Sequence, residues 1–572
     1  MKTYTPDEDY NPHQEKHPHI IEETGNHPLE TRPWLRYYPS GVPASLNYPQ
    51  KPVGTLLTEK AEQVPDKVCT VYKDQIITYR QMDALTDALA MALVKLGIKK
   101  GDRVALFLPN LPQFVLAFFG VLKAGGVVTA INPAYKEGEV LFQLSDAGAK
   151  VVICLAAALP LFQSLRPRTA VKSIIITNPE DASHLLAPVI LPNPSKDVYG
   201  LASLLAENHG VPGKPIAVSP EDAAIFQYSG GTTGTPKGAV CLHRNLMANI
   251  MQFGAWLQPV RSDQEAFLAA IPLFHVFGMV IAMGVAIMYA AAIVLTPDPR
   301  NLPDLLGCVE RNKVTIFPAV PNLLNNINHY LENSVENYDL SSLRLVISGS
   351  APLMQPIQEK FEQLTGSRVV EGYGLSEAPT ALICNPVLGD NRKGSIGLPL
   401  PDVECRIISL EDALTALGPG KAGELIARSP QVMAKYHNQP AETRLALREG
   451  WLYTGDVAYM DNDGYFYLVD RKKDVIKVGG LQVWPREVEE AIASHPKVLE
   501  VGVAGINHPD YGETVKAWVV VKPGEILTAE EVVNWCKEKL ADYKAPRVVK
   551  FIVKLPRTTV GKVLRRELGE GG

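Results

Sequence analysis

The 572-residue sequence has no C-x-x-C pair, and its seven cysteines (Cys69, Cys154, Cys241, Cys308, Cys384, Cys405, Cys536) are scattered and odd in number. That excludes a disulfide framework or a cysteine zinc site and makes a reducing cytoplasm the natural location. A basic excess is also missing. The net charge of −5 argues against a general nucleic-acid binder. Met1 to about Tyr38 lacks the apolar core of a signal peptide and reads as a mobile or wrapped extension. Gly571-Gly572 matches no carboxyl-terminal targeting signal. Repeats and low-complexity runs are absent. Ala266 to Leu295 contains no Asp, Glu, Lys or Arg and is long enough to span a bilayer. Pro272, His275, Gly278 and Gly284 interrupt it, so a buried strand, a loop, a core helix and a second strand explain it better.

What is present is ordinary globular composition, 46% hydrophobic and 20% charged, on a chain too long for a single core. From about Tyr79, helical stretches alternate with short apolar runs. Helices are expected at Tyr79 to Leu96, Pro112 to Lys123 and Glu137 to Ala147, with buried strands at Val104 to Leu108, Val127 to Ile131 and Val151 to Cys154. This alternation predicts βαβ units, parallel pairing and helices on both sheet faces. Ligands of such sheets bind beyond the carboxyl ends of the strands. After Asp470 the pattern becomes a compact α+β unit of about 100 residues. Its helices are expected at Arg486 to His495 and Thr528 to Leu540, and its strands at Val498 to Val503, Val515 to Val521 and Val548 to Val553.

The sharpest motif is Y-S-G-G-T-T-G-T-P-K-G, Tyr228 to Gly238, directly after the apolar strand Ala223 to Phe226. Gly230, Gly231 and Gly234 let backbone N–H groups approach a ligand. Ser229, Thr232, Thr233 and Thr235 add hydroxyls, and Lys237 adds charge. A polyphosphate suits this set. Pro236 before the lysine and Gly238 after it separate the motif from the common kinase and GTPase loop. G-L-S-E-A at Gly374 to Ala378 approaches a hydrolase elbow, but Ala378 stands where glycine is needed and a hydrolase has no use for the phosphate loop.

Here the sequence resembles the adenylate-forming superfamily of acyl-CoA synthetases, aryl-CoA ligases, luciferases and adenylation domains. The resemblance runs from about Tyr48 to Leu568 and returns in order at six further motifs. They are Pro272 to Gly278, Ser348 to Leu353, Gly372 to Glu377, Trp451 to Asp456, Asp470 to Gly480 and Leu555 to Leu568. It implies a large α/β domain of doubly wound sheets with a small β-barrel-like subdomain (48–470, after an extension 1–47). A small mobile α+β C-terminal domain (471–572) would follow.

It also assigns roles. Tyr373, between Gly372 and Gly374, would stack on adenine, with Ser350, Ala351 and Pro352 lining the purine slot. Ser376 would touch the α-phosphate and Glu377 would hold Mg²⁺. Asp456 would accept both ribose hydroxyls near Arg471. Lys562 would bridge the substrate carboxylate and the α-phosphate, and Lys473 would be the hinge of a domain rotation. Gly480 would line the pantetheine tunnel, and His275 would gate the acyl carbon. Val560 stands where relatives often carry Ser.

The implied reaction uses ATP, Mg²⁺ and coenzyme A to convert an acid to acyl-AMP and then to a thioester. The expected pocket segments, Pro272 to Gly284, Phe317 to Leu324 and Ser348 to Leu353, contain no acidic residue to pair a substrate ammonium. The motif strings look most like long-chain fatty acyl-CoA ligases. Medium-chain or aryl acids and a carrier-protein acceptor stay open. Any membrane contact is expected to be peripheral, and a homodimer is compatible with a sequence that does not set oligomeric state.

Overall fold

The structure is a computed structural model that describes residues 21–22, 32–186, 190, 193–211, 216–229, 236–258, 264–296, 298–509, 511–558 and 563–570. Local signals explain the first units. Thr78 accepts a hydrogen bond from the Gln81 N–H while the Gln81 side chain accepts one from the Thr78 N–H, a capping box that starts helix Tyr79–Lys95. Met82, Leu85, Leu89 and Leu93 form its buried stripe. Helix Pro112–Lys123 begins on proline, where the missing N–H costs nothing, and is buried from Pro112 to Leu122. Helix Glu137–Ala147 follows as expected.

Strands Ala223–Ser229, Val127–Ala130, Arg103–Phe107, Val151–Leu155, Ser173–Thr177 and Val198–Gly200 lie side by side, all parallel. Lys237–Leu242 and Lys435–Tyr436 extend this sheet antiparallel to eight strands. A second sheet has nine strands, six of them parallel, running from Arg368–Leu375 through Leu345–Ser348, Ile316–Ala319, Ala266–Ala269 and Ala292–Leu295 to Val68–Tyr72. These two sheets are the doubly wound part of the large domain. A seven-stranded sheet, antiparallel except where Ile21–Glu22 joins it, stands where the barrel-like unit is expected. The smaller C-terminal domain is a five-stranded sheet built on the long hairpin Val498–His508 and Gly512–Val521, with helices Pro485–Ala493 and Ala529–Lys537.

The uncharged run at 266–295 folds as a strand, a loop, a helix and a strand. Its helix Gly278–Val285 has π rather than α geometry and is wholly buried. Among the described residues no helix is long and apolar enough to cross a membrane. All seven cysteines are free and buried.

Close packing fixes the start of the π-helix. A Cβ at Gly278 would stand 2.3 Å from the Pro272 carbonyl oxygen, whereas one at exposed Gly138 would meet nothing within 4 Å. Gly278→Ala is therefore predicted to lower unfolding free energy by about 1–3 kcal/mol. Gly138→Ala should leave it unchanged or raise it by up to about 1 kcal/mol. Urea denaturation of the two variants checks both.

Candidate active site

Three pieces of chain converge beyond the carboxyl ends of the strands. The first is the hairpin of Ala223–Ser229 and Lys237–Leu242. Gly230, Gly231, Thr232, Thr233, Gly234 and Thr235, at its tip, lie outside the described residues, as does the Ser229 side chain. At the base, the Lys237 ammonium pairs with the Glu442 carboxylate and stands 5.4 Å from the centroid of the Tyr436 ring. The Tyr436 hydroxyl donates to Glu377 Oε1 at 2.8 Å. One short relay thus joins the phosphate-loop lysine to the expected metal carboxylate.

The second piece is the nine-stranded sheet. Strand Leu345–Ser348 delivers Gly349, Ser350, Ala351 and Pro352 to the cavity wall, with Ser350 in the left-handed region at φ 70°. The neighbouring strand Arg368–Leu375 delivers Gly372, Tyr373 and Gly374, and Ser376 and Glu377 follow in its turn. That turn is tight enough to demand glycine, because a Cβ at Gly374 would stand 1.4 Å from the Thr380 carbonyl oxygen.

The third piece is the antiparallel sheet, in which Asp456 and Arg471 are register partners. Asp456 is 5% exposed. Its Oδ2 accepts the Tyr373 hydroxyl at 2.7 Å and its Oδ1 meets Arg471 Nε at 3.0 Å. Each carboxylate oxygen keeps a second lone pair, so the set suits a diol as well as its present partners. The Asp456 carboxylate beside Arg471 raises the guanidinium's pKa and keeps it charged.

These pieces enclose a cavity of about 1400 Å³. Its lining also includes the apolar side chains of Phe253, Phe274, Phe277, Ile281 and Pro321, together with His275. His275 Nδ1 accepts the Phe277 N–H at 3.3 Å. Lys473 sits exposed at the rim, where partial burial and then the Arg471 charge lower its pKa. Gly480 is not brought to the cavity. It occupies an exposed turn between Ile476–Val478 and Leu481–Val483, with φ 85°. Lys562 lies outside the described residues, but Arg557, Thr558 and Val563 on either side of it line the cavity.

The AMP-binding enzyme family matches residues 57–437, and the AMP-binding enzyme C-terminal domain matches residues 487–562. The chain belongs to the AMP-binding enzyme family. A curated long-chain-fatty-acid–CoA ligase of Bacillus subtilis (strain 168) is 40% identical over 553 residues, covering 94% of this chain and 98% of its own length. The crystal structure of ATP-bound MatB from Rhodopseudomonas palustris superposes with a TM-score of 0.81 at 27% identity, over 91% of this chain and 98% of MatB. The o-succinylbenzoate coenzyme A synthetase of Bacillus subtilis, in complex with ATP and a magnesium ion, gives 0.76 at 27% identity, over 91% and 100%. Both solved structures hold ATP, and the second also holds a magnesium ion. The donor set of this AMP-binding enzyme fits such an ion. No group of three His, Cys, Asp or Glu side chains placed to hold a metal ion occurs among the described residues, and Glu377 alone suffices when phosphate oxygens and water complete the shell.

Sequence reasoning missed a polar stripe on helix His243–Leu257. Asn249 Oδ1 accepts the N–H groups of Thr380 and Ala381, at 2.6 and 3.0 Å, and its Nδ2 donates to the Ala381 carbonyl at 2.7 Å. Asn245 and Gln252 donate to the carbonyls of Pro430 and Pro401, each at 2.8 Å. All three are fully buried, and Asn249 clamps strand Ala378–Cys384, which pairs with the strand of Tyr373. The signal was available as amides at helical spacing in a mostly apolar segment. Buried Glu371 was also missed. Its Oε1 accepts the Leu353 N–H at 3.1 Å, and it lines the cavity with Arg486 and Glu490 of the C-terminal domain. Burial raises its pKa from 4.5 to about 7, against the opposing charge of Arg486.

Two predictions follow from these contacts. Tyr373→Phe keeps the aromatic face but removes a bond to a buried carboxylate, and should lower stability by about 1.5–3 kcal/mol in urea denaturation. Glu371 is protonated in both folded and unfolded chains below pH 4.5. Between there and about pH 7 the unfolded chain ionises first, so stability falls as pH rises. Relative to Glu371→Gln, the native protein should lose roughly 3 kcal/mol across that window, read from denaturation midpoints at stepped pH.

Proposed function

We propose that this enzyme is a long-chain fatty acid–CoA ligase that works through an acyl-adenylate. The observation that carries the reading is one cavity lined both by Tyr373, Glu377, Asp456 and Arg471 and by the apolar side chains of Phe253, Phe277 and Ile281. The likeness to the Bacillus subtilis long-chain ligase over nearly its full length supports the acid class.

In the first half-reaction a carboxylate oxygen of the fatty acid attacks the α-phosphorus of ATP and pyrophosphate leaves. Charge builds on the phosphoryl oxygens, so fixed cations and donors are the useful catalysts. Lys562 bridges the carboxylate and the α-phosphate, Ser376 and the loop 229–235 hold phosphate oxygens, and Lys237 leaves Glu442 for the polyphosphate. Mg²⁺ held by Glu377 neutralises phosphate charge when bound. Tyr373 and the segment 350–352 hold adenine, while Asp456 and Arg471 hold the ribose.

In the second half-reaction the coenzyme A thiolate attacks the acyl carbon and AMP leaves. His275 gates that approach. The unit 471–572 turns about Lys473 against the unit 48–470 and brings Gly480 to the pantetheine path. The reaction takes place in the cytoplasm, with at most peripheral contact to the membrane in which the substrate partitions.

Acid-dependent exchange of labelled pyrophosphate into ATP, from acetate to oleate plus coumarate, tests the reading. Palmitate and oleate should support exchange, coenzyme A should convert them to thioesters, and Lys562→Ala should lower exchange by roughly 10²–10³. Exchange with acetate or coumarate alone would reassign the substrate, and none with any acid would remove the catalytic claim.

A further inference from the structure

The C-terminal motif contains a charged cluster to which the reaction scheme gives no role. Arg565 stands three residues beyond Lys562. Its Nη1 donates to Asp470 Oδ1 at 2.7 Å and to Asp474 Oδ2 at 3.2 Å, and its Nη2 donates to Glu489 Oε2 at 2.8 Å. Nε adds a longer bond to Glu489 Oε1, 3.3 Å. The three carboxylates are poorly exposed, Asp470 least at 3%.

Their positions in the fold separate them. Asp470 belongs to strand Phe466–Arg471 of the antiparallel sheet, next to Arg471 of the ribose pair. Asp474 and Glu489 lie beyond Lys473, the latter on helix Pro485–Ala493. Arg565 therefore spans the hinge. Asp470 holds the same junction a second way, because its Oδ2 accepts the Arg486 N–H at 2.8 Å.

The chain around Lys562 is tied down at its base. The Leu564 N–H donates to the Pro556 carbonyl at 2.9 Å, and Arg557 bridges to Val563 as an isolated antiparallel pair. Arg557 also meets Glu500 at 3.2 Å. These bonds tie the residues that flank Lys562 to the small domain. From the described residues of the motif, Arg565 reaches across to Asp470 of the large domain.

We propose that Arg565 is a positioning residue for adenylation, clasping Asp470 of the large domain to Asp474 and Glu489 of the small one and so holding the residues that flank Lys562, Thr558 and Val563, at the cavity. A guanidinium suits this work, since its planar fork serves several carboxylates at once. Rotation about Lys473 separates Asp470 from the other two, so the clasp opens for the thiol step. The inference rests on the two-step reading above.

The test uses the full-length enzyme and measures the half-reactions apart. Palmitate-dependent pyrophosphate exchange reports the first, and palmitoyl-CoA formation from supplied palmitoyl-AMP reports the second. Arg565→Gln and Asp470→Asn, the latter keeping an acceptor for the Arg486 N–H, should each lower exchange by about 100-fold, the cost of a small misplacement. Both should leave the second half-reaction within about threefold of the native enzyme. The double variant should lose no more than either single one, because both remove the same contact. Unchanged exchange, or equal loss in both half-reactions, would overturn the proposal. If the native enzyme exchanged with no acid, the adenylation reading would fail instead.

Discussion

A buried carboxylate at the meeting of two sheets is the constraint on which the site depends. Asp456 is taken out of water on the antiparallel sheet, and such a charge is tolerable only when paired and hydrogen-bonded. Tyr373 reaches it from the nine-stranded sheet and Arg471 from the adjacent strand. Those bonds fix the separation between the aromatic face proposed for the base and the carboxylate proposed for its sugar. Neighbouring features serve the same register. Asn249 holds the backing strand, Gly374 lets the hairpin close over Thr380, and the Tyr436 hydroxyl holds the Glu377 carboxylate.

The same strand that carries Arg471 ends two residues before Lys473, the proposed hinge. A single segment, Asp470 to Asp474, therefore carries the Arg471–Asp456 pair and the carboxylates that meet Arg565. On the proposed reading this proximity links nucleotide occupancy to domain orientation. Glu371 and Arg486 line the same cavity from the two domains. Burial raises the Glu371 carboxyl's pKa to about 7, against the opposing Arg486 charge.

Much of this was legible in the sequence where one physical signal dominated. Helices Tyr79–Lys95, Pro112–Lys123 and Glu137–Ala147 were readable because caps, prolines and apolar spacing agreed. The motifs also located the segments that line the cavity. The π-helix Gly278–Val285 was readable only as a helix, since an all-apolar run has no polar face to reveal its period. Asn245, Asn249 and Gln252 escaped because a buried amide and a solvated one look alike without tertiary partners. Gly480 shows another limit. Its place at an exposed turn, away from the cavity, depends on how the small domain is set, and no local pattern encodes that.

The account stands on a carboxylate oxygen of the substrate becoming bonded to the α-phosphorus. A single turnover with palmitate carrying ¹⁸O in both carboxylate oxygens, ATP and coenzyme A, read by mass spectrometry, tests that bond directly. Attack at the α-phosphorus followed by thiol attack on the acyl carbon leaves one ¹⁸O in AMP and one in the thioester carbonyl. Label in phosphate or pyrophosphate, with none in AMP, would contradict the acyl-adenylate.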